Sequence, residues 1–178
     1  HMRYNELPAE RRGGPRFYVE DNIDPARMDA LFDVIDIKKT CFNVITKSGS
    51  TSETMAQFLI IADKLKKAGV SLKDNMIATT DKAKGNLIKI AQQEGLKTFV
   101  IPDGVGGRFS EMTPVGLLGA AVCGIDIKEL IAGARYMDGL LQSENVMENM
   151  AYLDGALQYL CMENGVNVSV MMPYTDSL

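Results

Sequence analysis

Hydroxyl side chains crowd the run Thr46-Lys47-Ser48-Gly49-Ser50-Thr51-Ser52, far more than a helix start needs. Upstream, Phe42 to Ile45 is a short apolar run that reads as a buried strand. Downstream, Phe58, Ile61, Ala62, Leu65 and Ala68 fall on one face at helical spacing. The order strand, hydroxyl-rich turn, helix puts free backbone N–H groups and the positive end of a helix dipole beside several hydroxyls. That combination holds an anion such as phosphate with little side-chain charge. Ser50-Thr51-Ser52-Glu53 also fits an ordinary capping box, with Ser50 as N-cap and Glu53 as N3. A carboxylate at Glu53 would repel an anion in the first turn.

A second run with chemical potential is Pro102-Asp103-Gly104-Val105-Gly106-Gly107-Arg108-Phe109-Ser110. Its glycines allow tight turns and close approach of backbone to a ligand. It lacks the G-x-G-x-x-G order that binds dinucleotides. Arg108, at the end of the run, offers a guanidinium that can pair with phosphate or with a developing oxyanion. A surface arginine or an inter-domain ion pair would look the same in sequence.

Histidine chemistry is excluded. The single histidine is His1, and His1-Met2 reads as a tag remnant, leaving residues 3–178 as one expected domain. No Ser-His-Asp triad, Cys-His pair or histidine metal site follows from such a chain, so acid–base work falls to Glu, Asp, Lys or Tyr. Cys41, Cys123 and Cys161 are far apart, without metal spacing, and are expected to be buried free thiols in a reducing cytoplasm.

These groups need a scaffold, and the chain is large enough to build one. Of its 178 residues 46% are hydrophobic and 24% charged, a globular composition. The net charge of −4 argues against a general nucleic-acid or anionic-membrane surface. No apolar run reaches the length of a membrane span.

Strands are expected at 16–19, 42–46, 75–79, 98–101 and 166–172. Helices are expected between them. Asp24-Pro25 and Thr113-Pro114 each pair an N-cap with proline at N1. Gly69 and Gly95 close two helices as C′ glycines. Asp126 with Glu129 starts a helix whose face is Ile127, Leu130, Ile131, Ala134, Met137 and Leu141, and Val146, Met150, Leu153, Leu157 and Leu160 line the next. Strands alternating with helices predict an α/β fold with a parallel sheet. Ligands bind such sheets beyond the carboxyl ends of the strands, so loops 46–52 and 102–112 should share one rim.

Taken together, the two loops resemble the phosphoglucose isomerase family. Ile45-Thr46-Lys47-Ser48-Gly49-Ser50-Thr51-Ser52-Glu53-Thr54 is similar to its sugar-phosphate loop. Gly106-Gly107-Arg108-Phe109-Ser110, followed by Val115-Gly116-Leu117-Leu118, is similar to its signature, with Glu111 where the family more often has an apolar residue. Arg11-Arg12-Gly13-Gly14-Pro15 and residues 171–178 resemble further family segments. The resemblance implies a sugar isomerase (SIS) domain, a three-layer α-β-α sandwich with a five-stranded parallel sheet, flavodoxin/Rossmann-like. It implies phosphate binding by Thr46, Lys47 (through backbone), Ser48 and Thr51. It implies that Arg108 stabilises the enediol(ate) in the interconversion of glucose 6-phosphate and fructose 6-phosphate, without metal or cofactor. The family's Gly-Gly-Ser loop, catalytic glutamate, ring-opening histidine and late lysine have no counterpart here. The expectation is therefore a domain cut from a larger cytoplasmic, homodimeric enzyme and inactive alone. A stand-alone SIS-type phosphosugar sensor is the alternative.

Overall fold

The computed structural model describes residues 3–174; the tag-like pair at the start and the family-like residues 175–178 lie outside the described residues. The chain divides into two compact units. One is Ala9–Ile125. The other joins the described residues up to Pro8 to those from Asp126 onward.

The Ala9–Ile125 unit holds the sheet. Strands β1 (Phe42–Thr46), β2 (Met76–Thr80) and β3 (Lys97–Val100) run parallel in the order β1-β2-β3. The register pairs Phe42 with Met76, Thr46 with Thr80, and Thr80 in turn with Val100. All three strands therefore end at one level, and their loops leave from one rim. Helices α1 (Pro25–Val34), α2 (Ser52–Lys67), the one-turn α3 (Leu72–Asn75), α4 (Asn86–Glu94) and α5 (Pro114–Val122) complete the unit.

The core forms where helical and strand periodicities meet. Phe42 and Val44 of β1, Met76 and Ala78 of β2, Phe58, Ile61 and Leu65 of α2, and Leu87 and Ala91 of α4 make one buried cluster. Burying each large apolar side chain contributes roughly 1.5–3 kcal/mol. The helix ends follow local chemistry. Asp24 accepts the Ala26 and Arg27 amides at 2.8 and 3.1 Å, and Thr113 accepts the Val115 amide at 3.3 Å. Gly69 and Gly95, at φ 71° and 69°, take the left-handed conformation that ends α2 and α4.

The sheet corrects the five-strand expectation: among the described residues it has three strands. Residues 16–19 join no ladder. The Arg27 guanidinium donates to the Val19 carbonyl at 2.5 Å and pairs with Glu20 and Asp21. Phe17 packs so closely on α5 that a Cβ at Gly119 would lie 2.8 Å from its ring. Residues 166–172 are exposed along their length and join no ladder. A strand needs a neighbour for its N–H and C=O groups, and hydrophobic pattern alone does not supply one.

In the second unit, α6 (Ile127–Leu140) and α7 (Met150–Glu163) begin at side-chain caps. Asn149 is 1% exposed. Its Oδ1 accepts the Ala151 and Tyr152 amides, and its Nδ2 donates to the Leu141 and Ser143 carbonyls. The apolar faces expected on these helices are present but at most partly covered: neither helix has a fully buried residue among those described. The cysteines are free, as expected, yet none is fully buried; Cys41 and Cys161 are exposed and Cys123 is partly so.

Candidate active site

The loops after β1, β2 and β3 meet in one open cleft of about 650 Å³. Ile45, Thr46, Lys47, Ser48, Thr51 and Thr54 line it from the first loop, Asp81 and Lys84 from the second, and Gly107 from the third.

The hydroxyls form a triangle. Thr46 Oγ1 lies 3.0 Å from Thr51 Oγ1 and 3.4 Å from Ser48 Oγ, and Ser48 Oγ lies 3.2 Å from Thr51 Oγ1. Two features hold Thr46 in place. Its side chain is buried at 5% exposure. Its carbonyl accepts the Thr80 hydroxyl at 2.6 Å and the Gly49 amide at 3.2 Å.

The alternative reading of Ser50 and Glu53 as an ordinary capping box does not hold. Thr51 is the N-cap of α2, and its hydroxyl turns to Thr46 and Ser48 instead of capping the helix. Glu53 accepts from its neighbour Ser52 at 3.2 Å. The amides of Ser52, Glu53 and Thr54 are therefore left without an acceptor among the described residues. A helix N-terminus with free amides beside three hydroxyls offers an anion donors from both backbone and side chain.

Lys47 faces the third loop. Its ammonium donates to the Val105 carbonyl. Arg108 sits in a single helical turn, Gly107–Phe109, where it is exposed and makes no hydrogen bond or ion pair among the described residues. Its neighbour Gly107 lines the cleft; the Arg108 side chain does not. The turn leads directly into α5. Ser110 donates to the Gly107 carbonyl at 2.6 Å, and Thr113 donates to the Ser110 carbonyl at 2.5 Å before capping that helix. Gly116 lets this turn close: a Cβ there would lie 2.4 Å from the Glu111 carbonyl oxygen.

Asp81 and Lys84 are site residues that motif reading missed. Their position directly after β2, on the rim shared by the other loops, was the available signal. The Ala83 amide, and then the Lys84 amide, donate to Asp81 Oδ1, each at 2.8 Å, and hold its carboxyl below the usual range. Burial opposes this slightly, and the Lys84 and Lys47 charges lower it further. Among the described residues no cluster of His, Cys, Asp and Glu is arranged to hold a metal ion.

Residues 5–178 match the family model described as phosphoglucose isomerase. The chain belongs to the phosphoglucose isomerase family. A glucose-6-phosphate isomerase of Carboxydothermus hydrogenoformans is 58% identical over 179 residues, covering all of this chain and 39% of the relative. One from Rubrobacter xylanophilus is 44% identical, with 41% of its length covered. The chain thus spans about two fifths of the curated relatives it matches. Among solved structures, a hypothetical protein from Thermus thermophilus aligns with TM-score 0.78 and 35% identity over 88% of this chain and 36% of that one. A glucose-6-phosphate isomerase from Chlamydia trachomatis aligns with TM-score 0.69 and 25% identity, covering 82% of this chain and 28% of the other.

Proposed function

We propose that this chain is the sugar-phosphate-binding segment of a glucose-6-phosphate isomerase. The observation that carries the reading is the triangle of Thr46, Ser48 and Thr51 hydroxyls at the uncapped start of α2. In this reading the triangle, the amides of the first turn of α2 and the Lys47 backbone N–H receive the phosphate of glucose 6-phosphate or fructose 6-phosphate. The sugar carbons extend towards the third loop. There Arg108, unpaired among the described residues, swings to the enediolate that forms when a proton leaves C2 and is returned at C1. That charge exists only in the intermediate and the states near it, so pairing it speeds the reaction more than it tightens substrate binding.

The base that moves the proton is assigned to the part of the relatives' length that this chain does not span. Asp81 is the one carboxylate among the described lining residues. Its Oδ1 is occupied by two amides and its basicity is lowered, which makes it a poor proton acceptor. The isolated chain should therefore bind sugar phosphate without turning it over. The full-length enzyme is read as a cytoplasmic homodimer.

A paired assay tests this. The full-length protein should interconvert the two sugar phosphates, and the 178-residue chain should not. The chain should nevertheless show amide shifts at residues 46–54 on titration with fructose 6-phosphate. Turnover by the pure chain would overturn its assigned inactivity. Absence of shifts at millimolar ligand would overturn the phosphate site.

A further inference from the structure

We infer that Gly85 is a positioning residue for the anion loop, acting as a backbone brace from behind it; the inference rests on reading the cleft as a phosphate site. Gly85 precedes α4 at φ 93°, a conformation that L side chains rarely adopt. A Cβ on it would lie 2.2 Å from the Ser48 carbonyl oxygen and 2.7 Å from Gly49 Cα. The approach is reciprocal. Gly49, at φ 66°, would place a Cβ 3.0 Å from Gly85 Cα and 3.1 Å from the Lys84 carbonyl oxygen. The two loops touch glycine to glycine, leaving no room for a methyl group between them.

The contact is also hydrogen-bonded. The Gly49 carbonyl accepts the amides of Asn86 and Leu87 at 2.9 and 3.0 Å. Helix α4 has no side-chain cap of its own. The anion loop thus supplies the acceptor that ends α4, and α4 in return fixes the peptide between Ser48 and Ser50. Asp81 holds the other side of the brace by accepting the Ala83 and Lys84 amides.

Ser48 carries one corner of the hydroxyl triangle, and Gly49 is the next residue. A fixed Gly49 therefore presents the Ser48 hydroxyl and the following amides already in place. Donors that need not reorganise lose less on binding than donors that must be ordered first. Through Ser48 and Gly49, Gly85 sets the affinity of the cleft for a phosphoryl group without touching the ligand.

Two charge-neutral variants of this chain test the brace. Gly85→Ala forces the loop away. Asn86→Pro removes one of the two amides from the Gly49 carbonyl and sets the ring Cδ where its hydrogen pointed, so it crowds the same contact from a first-turn position where the helix itself tolerates proline. Each ¹⁵N-labelled protein is titrated with inorganic phosphate well below its melting temperature, following the amides of residues 46–54. Both variants are expected to bind about tenfold more weakly than wild type, a loss near that of one oriented charge-assisted hydrogen bond. Their ligand-free Ser48–Ser50 amide signals should also be displaced. Wild-type binding with both variants within about twofold of it would overturn the brace but leave the phosphate site standing. No response of wild-type amides 46–54 at saturating phosphate would instead overturn the phosphate site, and the brace with it. If Gly85→Ala does not fold, Asn86→Pro alone decides by the same criteria.

Discussion

The Lys47 ammonium and the Val105 carbonyl oxygen are hydrogen-bonded, joining the loop after β1 to the loop after β3. The positive charge nearest the hydroxyl triangle in sequence is thereby committed to the neighbouring loop, and Arg108 follows three residues beyond the point of attachment. Replacing Lys47 by Met keeps the length of the side chain and removes the donor. The expected result is faster hydrogen exchange at the amides of residues 104–109 with a small change in phosphate affinity. Unchanged exchange there would show that the bond does not hold the loop.

The hydroxyl triangle separates binding from stability. Thr51 is an N-cap that makes no cap bond. Thr51→Val should therefore leave the melting temperature nearly unchanged and weaken phosphate binding by about fivefold, the worth of one neutral hydrogen bond at about 1 kcal/mol. Ser48→Ala should behave similarly. A melting-temperature loss with intact binding would make these hydroxyls structural.

Arg108 makes no bond that its removal could break among the described residues. In the full-length enzyme Arg108→Ala should lower kcat by on the order of a hundredfold, with little loss of stability, because removing an oxyanion partner costs roughly 3 kcal/mol. Melting curves and steady-state kinetics on the same preparation decide the matter. Full activity with a large drop in melting temperature would refute the assignment.

Asp81 predicts a pH dependence with a definite sign. Its folded-state pKa is lowered, chiefly by the Ala83 and Lys84 amides. The stability it contributes is complete above the ordinary aspartate value of about 4 and is lost as pH falls through the lowered one. Asp81→Asn should therefore melt below wild type at pH 7, and the gap should close as the solution is acidified. A gap that persists unchanged in acid would show that the carboxylate is not the acceptor.

Gly116 marks a steric requirement inside a helix. A Cβ would lie 2.4 Å from the Glu111 carbonyl oxygen and 3.3 Å from the Glu111 side chain. Gly116→Ala should destabilise by roughly 1–3 kcal/mol, despite alanine's better helix propensity, because the obstructing atom is backbone. Chemical denaturation measures it. A stabilised variant would mean that the turn at residues 107–113 moves freely.

Local chemistry was legible wherever a residue acts on its immediate neighbours. Asp24-Pro25, Thr113-Pro114 and Asp126 start helices as their types require, and Gly69 and Gly95 end them. The strands at 42–46, 76–80 and 97–100 lie within a residue or so of their apolar, β-branched and aromatic runs, because residues of those types favour the extended, pleated backbone. Legibility failed where a partner was needed. Residues 166–172 have the composition of a strand and no ladder, and α6 and α7 have apolar faces with nothing fully buried. The Ser50–Glu53 capping box is absent because α2 starts one residue later, with Thr51 as N-cap, and Glu53 accepts from Ser52.

From the order of residues alone came the hydroxyl turn, the glycine-rich loop with Arg108, and the alternation that sets both on one rim of a parallel sheet. Propensity, capping and periodicity act over a few residues and survive in any context. Which atoms face one another across that rim required the folded chain. The Lys47–Val105 bond spans 58 positions, and the meeting of Gly49 with Gly85 depends on where β1 and β2 both end. Contacts of that reach are set by packing and register, and no local pattern encodes them.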